Sequence, residues 1–195
     1  MSIPAAIDRI SAEDYLSLDR QAELRHEFVD GQLIAMTGGS FAHGLVTANV
    51  SRALGNALEH APCVVVSSDV RVRVDDGLYA YPDVTVVCGE PELDAEHRDT
   101  LRNPTALFEV LSPSTEAFDR GEKFRRYQRI ASLRHYALVS QEPSRIELFT
   151  RQGDFWVYRS VTAPDGWVEL EALGCRIALD AVYRKMSQAD DEVDA

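Results

Sequence analysis

The sequence predicts a mixed α/β (α+β) domain: a β-sheet flanked by helices, with an antiparallel meander toward the C-terminus. Three observations carry this expectation. Residues 105–140 read strand, helix, strand, a βαβ-like unit. Residues 135–170 hold successive β-branched and aromatic runs with only short turns between them. The N-terminal third pairs a hairpin pattern with one long apolar helical stripe. A chain of 195 residues, 45% of them hydrophobic, suits one domain over 1–187 with a core of useful size.

The elements follow in order. SAEDYLSL (11–18) reads as a short helix capped by Ser11. RHEFVDGQLIAM (25–36) reads as a hairpin, with Asp30 and Gly31 supplying the positive φ angles of a tight turn. Gly38 and Gly39 break the pattern, and Ser40 opens a helix to about His60. Its stripe is Leu45, Val46, Val50, Leu54 and Leu58. CVVVSSDVRVRV (63–74) gives one or two strands, and the turn DDG (75–77) leads into YAYPDVTVVC. GEPELDAEHRDTLRNP (89–104) is polar and reads as a loop. TALFEVLS (105–112) is a strand that Pro113 stops. Ser114 or Thr115 then caps a helix running to about Ala131. HYALVS (135–140), RIELFTR (145–151), DFWVYRSV (154–161) and WVEL (167–170) are the meander strands, and ALDAVYRKM (178–186) is a closing helix. Residues 188–195, with four acids and no base, read as a frayed acidic tail.

Composition narrows the function classes. No run approaches the roughly 18 apolar residues of a membrane-spanning helix, and MSIPAAIDRI has no basic region leading into a long apolar one. Cys63, Cys88 and Cys175 are odd in number and show no CxxC spacing. Neither a disulfide framework nor a zinc site is expected, and a reducing cytoplasm is the default compartment. The net charge of −12 argues against long polyanionic partners. The balance is local, however: RGEKFRRYQRIASLR (120–134) holds six bases against Glu122. That segment reads either as a solvated helix face or as a phosphate-facing patch.

Two apolar strands carry carboxylates: Asp83 in YPDVTVVC and Glu109 in LFEVLSPST. Alternation puts Glu109 on one face with Leu107 and Leu111, and Asp83 with Thr85 and Val87. A carboxylate taken out of water needs a partner or a proton. An ordinary ion pair satisfies that need. So does a hard divalent cation, which takes oxygen ligands and leaves positions for water and phosphate. Asp119, Lys123 and Tyr127 fall at i, i+4 and i+8 of the following helix, roughly one face.

Pro82-Asp83 followed by Glu109 resembles the PD-(D/E)XK nuclease superfamily, whose lysine normally follows the second acid by two residues; Leu111 stands there in this chain. The whole chain is similar to one branch, the Uma-two family of restriction endonucleases. RHEFVDG (25–31), SFAHGLV (40–46), YPDVTVVC (81–88), FEVLSPST (108–115), the Asp119–Lys123–Tyr127 ladder and LDAVY (179–183) carry the likeness. The resemblance implies a restriction-endonuclease-like fold and a Mg²⁺- or Mn²⁺-dependent endonuclease acting on DNA. It makes Asp83 and Glu109 the metal ligands and Lys123 a relocated catalytic lysine. Glu27 would complete the metal shell. His43, Asp119, Tyr127 and Arg126 would contact substrate or support the site. A homodimer is implied by the need to cut two strands, and no membrane partner is expected.

Other chemistries lack their motifs: there is no G-x-S-x-G, P-loop or G-x-G-x-x-G, and the five histidines show no metal-ligand spacing. Trp156 and Trp167 read as packing residues rather than base-stacking platforms. Two rival functions remain open at this level. One is a catalytically inactive nucleic-acid- or protein-binding domain on the same scaffold. The other is a hydrolase of a small phosphate ester, which the negative charge would hinder less than a long polyanion.

Overall fold

Burial of alternate strand residues and of one helix stripe organises the chain into layers. The computed structural model describes residues 9–36, 38–95, 98–163 and 166–186. Helix α1 (Ala12–Gln21) begins at Ser11, whose hydroxyl accepts the Asp14 amide. The hairpin follows as β1 (His26–Val29) and β2 (Gln32–Ala35), turning at Asp30 and Gly31 with φ of 48° and 89°. Helix α2 (Phe41–Ala57) starts at its N-cap Ser40. Strands β3 (Cys63–Ser67), β4 (Arg71–Asp75), β5 (Leu78–Ala80) and β6 (Val84–Cys88) come next. Then come β7 (Thr100–Leu101), β8 (Ala106–Val110), α3 (Glu116–Phe118), a π-helical turn (Asp119–Lys123) and α4 (Phe124–Tyr127). The chain continues through β9 (His135–Ser140), β10 (Arg145–Gln152), β11 (Phe155–Thr162), β12 (Trp167–Leu170), β13 (Cys175–Ala178) and α5 (Leu179–Val182).

One sheet has the order β2-β1-β5-β4-β7 and a second has β11-β10-β9-β8-β6-β3, with β12-β13 as a separate pair. The βαβ reading holds: β8 and β9 pair in parallel, while β9, β10 and β11 form the antiparallel meander. Helix α2 lays Val46, Val50, Leu54 and Leu58 over Val84, Val86, Phe108 and Val110 of the second sheet. Each fully buried side chain of this kind contributes about 1.5–3 kcal/mol. The opposite face of β8, with Leu107 and Leu111, shares a core with Val72, Leu78 and Leu101 of the first sheet and with Tyr127, Tyr136 and Leu138. Glu109 therefore emerges into the layer between the two sheets.

Several expectations are corrected. Cys63 and Cys88 are direct register partners across β3 and β6 and form a disulfide, leaving Cys175 free. Antiparallel pairing brings together residues that lie 25 apart in sequence, a closeness no spacing motif reports. The compartment argument drawn from cysteine spacing therefore loses its support. The 89–104 segment is not all loop: β7 pairs in parallel with β4, and Leu93 bridges to Leu101. Helical structure after Pro113 ends at Tyr127 rather than near Ala131, and Thr115 at its N-cap makes no side-chain cap bond. The strand β13 was not anticipated. Asp83 precedes β6 instead of lying in it. The acidic tail 188–195 lies outside the described residues. Among those residues no helix is long and apolar enough to cross a membrane.

Candidate functional site

Three elements converge where the two sheets meet. Strand β1 supplies Glu27, β8 supplies Glu109, and the π-helical turn supplies Asp119 and Lys123. The wider i→i+5 turn of a π-helix is often found at functional sites; here both its terminal charged side chains, Asp119 and Lys123, are buried. Lys123 Nζ lies 3.0 Å from Glu27 Oε1, 3.0 Å from Glu109 Oε1 and 3.4 Å from Asp119 Oδ1. The Tyr127 hydroxyl donates to Glu109 Oε1 at 3.0 Å. All five residues are buried, with Glu109 at 3% exposure and Lys123 at 4%.

Asp83 and His43 stand beside this group as a pair. Asp83 Oδ2 accepts the Val110 amide at 2.7 Å and lies 3.4 Å from His43 Nε2. Both side chains keep some exposure, 17% and 21%, so this is the more open edge of the site. His43 sits in the first turn of α2, where Ser40 Oγ accepts its amide. Pairing of β6 with β8 (Val84 opposite Phe108) carries Asp83 to the level of Glu109.

The electrostatics follow from three carboxylates meeting one ammonium in a dry layer. Burial works against the Lys123 charge, but Glu109 and Glu27 outweigh it and hold the ammonium pKa well above its ordinary value. Burial raises the Glu109 carboxyl well above its ordinary value; Lys123 opposes this, while Asp119, Asp83 and Glu27 add to it. Asp119 is raised by burial as well, against the pull of Lys123. The hydrogen bond to Asp83 raises the His43 pKa against the effect of burial. The lysine is thus charged, and the Glu109 and Asp119 carboxyls hold their protons more tightly than ordinary ones. Asp119 Oδ1 is buried with no hydrogen-bond partner.

Among the described residues no three His, Cys, Asp or Glu side chains already converge as a metal-ligand group. Lys123 Nζ stands between Glu27 and Glu109. The donor set still fits a hard divalent cation: it is all-oxygen, in charge excess over its one ammonium, and Asp119 Oδ1 makes no hydrogen bond, with only the 3.4 Å contact of Lys123 beside it.

From Arg120 to Arg129 the basic segment resolves into ion pairs. Arg120 pairs with Glu116 and Glu147, Arg125 with Glu122, and Arg129 with Asp75. Arg126 is buried against Asp30, Asp75 and Glu122. It does not reach the Lys123 cluster. Trp156 packs edge-on against Phe124, and Trp167 is half exposed beneath Arg176.

Sequence reasoning missed Tyr81. Its amide donates to Glu27 Oε1 at 3.1 Å and its hydroxyl to Asp19 Oδ2 at 2.6 Å. It missed the buried Asp19–Arg71 pair as well, at 2.7 Å. The available signal was an arginine and tyrosines in strands bound for a core.

Comparison with known proteins bears on the family and the fold. A family model described as "Putative restriction endonuclease" (Uma2) matches residues 12–181. A Synechocystis protein, slr1290, is 36% identical over 185 residues, covering 94% of this chain and 96% of its own. A second, sll1609, is 33% identical over 155 residues, covering 79% and 88%. A crystal structure from Anabaena variabilis, titled "a putative nuclease belonging to DUF820", shares the fold with a TM-score of 0.73 at 14% identity, covering 89% of this chain and 97% of its own. With its model spanning most of the sequence and full-length relatives above 30% identity, the chain belongs to the Uma2 family.

Proposed function

We propose that the chain is a metal-dependent endonuclease that hydrolyses DNA phosphodiester bonds with water as nucleophile. The observation that carries the reading is the contact of Lys123 Nζ with Glu109 Oε1 at 3.0 Å. A lysine from the next helical turn thus reaches the second acid, although Leu111 occupies the usual lysine position. Asp83 and Glu109 would hold Mg²⁺ or Mn²⁺, with Glu27 completing the set. When bound, the cation supplies Lewis acidity toward the phosphate and a lowered pKa for water. Lys123 orients the attacking water and offsets charge on the phosphoryl oxygens in the transition state. Asp119 steers Lys123, Tyr127 orients Glu109 through its hydroxyl, and His43 at the open edge contacts a substrate phosphate. Cutting both strands of a duplex is simplest with two copies related by a two-fold axis.

The test is cleavage of supercoiled and linear DNA with Mg²⁺ or Mn²⁺ and with a chelator. Asp83→Ala, Glu109→Ala and Lys123→Ala should abolish cutting while far-UV dichroism stays native. If all three variants cut like the wild type, the reading is wrong. The pairing of the helix arginines with acids favours a second reading, a binding domain without turnover. Calorimetry with Mn²⁺ separates the two: heat of binding that Asp83→Asn removes supports the enzyme, and no binding to the wild type supports the scaffold.

A further inference from the structure

We propose that two buried arginines, Arg71 and Arg126, are positioning residues that fix the Glu27 carboxylate by clamping the two ends of β1. The inference rests on the reading of Glu27 as part of the active centre. Strand β1 is only four residues long, and Glu27 lies between two anchored points. At the first, the His26 amide donates to Asp19 Oδ1 at 2.7 Å. The other oxygen of Asp19 accepts from Arg71 at 2.7 Å and from the Tyr81 hydroxyl at 2.6 Å. Asp19 is 7% exposed and Arg71 3%. The Tyr81 amide then donates to Glu27 Oε1, so this clamp continues to the carboxylate itself.

At the second point Asp30, which follows β1 directly, accepts from Arg126 Nη2. Arg126 Nε donates to Glu122 at 2.7 Å, and Nη1 to Asp75 at 3.4 Å. All three guanidinium nitrogens face carboxylates and the residue is 5% exposed, which leaves none presented to a phosphate. The Asp30 amide also donates to the Gly77 carbonyl at 2.8 Å. Arg126 lies three residues beyond Lys123, and Asp30 three beyond Glu27. The outer pair therefore repeats, one step from the centre, the cross-element contact that Lys123 and Glu27 make within it. The outer pair closes over the backbone at position 77. A Cβ on Gly77 would come within 2.5 Å of Asp30 Oδ1 and 2.9 Å of Arg126 Nη1.

Buried ion pairs are poor sources of net stability, because desolvation offsets most of their attraction. A fixed registry between elements is the better-attested return. The Asp19–Arg71 pair is buried on both sides, while Arg126 is buried and its partner Asp30 is half exposed; together, at the two ends of one short strand, they set where its middle carboxylate sits relative to Lys123.

The Tyr81 amide reports the position of Glu27 without any cleavage assay, since Glu27 Oε1 is its acceptor. Asp30→Asn removes one charge and keeps a residue that tolerates a left-handed turn. In that variant and in Arg126→Gln, NMR should show Tyr81 amide exchange faster by roughly ten-fold or more, with the β8 amides unchanged. Arg71→Lys should give the same signature from the other end, and Arg126→Lys a partial recovery. In cleavage, kcat should fall about 10- to 100-fold in these variants with little change in KM. Tyr81 exchange that stays at the wild-type rate overturns the proposal. So does a rise matched by the β8 amides, which would report lost global stability only. A wild-type protein that fails to cut DNA sinks the nuclease reading, while Tyr81 exchange still decides the clamp.

Discussion

Among the described residues Lys123 is the one side-chain cation in contact with Glu27, Glu109 and Asp119. Removing it strands buried carboxylates without a counter-charge. Lys123→Met should therefore lose about 3–5 kcal/mol at neutral pH. The pH dependence has a definite sign. Glu109 and Asp119 have raised pKa values in the folded state, so at intermediate pH the native form binds more protons than the unfolded chain. Stability then rises as pH falls toward the ordinary carboxyl range. Urea unfolding of Lys123→Met should show a smaller deficit at pH 5 than at pH 8; equal deficits would contradict the cluster's charge state. At this scale much was legible. Two acids out of place in apolar runs, and a lysine at helical spacing after the second, are visible in the letters alone. Tyr81 and Arg71 were not, because their partners, Glu27 and Asp19, lie more than 50 residues away in sequence and meet them only in the folded chain.

The elements were legible where a local signal is strong: Ser11 and Ser40 as caps, Asp30-Gly31 as a turn, Val46 to Leu58 as a stripe. They were illegible where structure depends on a distant partner. Strand β7 is two residues whose pairing comes from β4, and β13 exists because β12 lies beside it. The π-helical turn likewise has no local signature, since Gly121 and four charged residues fit any solvated helix. His135 at the start of β9 gives an element-level prediction. Its Nε2 accepts the Ala172 amide at 3.1 Å, which leaves Nδ1 to donate to Thr150 Oγ1. Burial pushes its pKa down to about 4 from 6.5. The unfolded chain takes up this proton first, so stability is complete above about 6.5 and is lost as pH falls toward 4, by roughly 3 kcal/mol at most. His135→Gln should flatten that part of the stability–pH curve, and an unchanged slope would refute the assignment. The β3–β6 disulfide offers a second test. Closing a loop of this length, with the cysteines 25 positions apart, stabilises by about 3 kcal/mol in the chain-entropy picture. Reductant should lower the urea midpoint of the wild type and leave a Cys63→Ser/Cys88→Ser variant unmoved.

Taken whole, the molecule sets a carboxylate-rich, nearly dry centre between two sheets inside a chain of net charge −12. The fold class was readable because the βαβ unit and the meander are local patterns. The division into two sheets was not, because it depends on which edges β3 and β2 leave unpaired. The acidity has a consequence for substrate. On the proposed nuclease reading, with the arginines of 120–129 tied to acids, most of the attraction to a phosphate chain would have to come through a bound cation. DNA association should therefore strengthen markedly on adding Ca²⁺, a non-cleaving stand-in, in fluorescence anisotropy; equal affinity with and without it would contradict this. The most direct measurement is anomalous diffraction from crystals soaked in Mn²⁺. One peak bounded by the carboxylates of Asp83 and Glu109, absent in Asp83→Asn, is the expected result. A protein that takes up Mn²⁺ only elsewhere, with Lys123 still closed on Glu109, would contradict it.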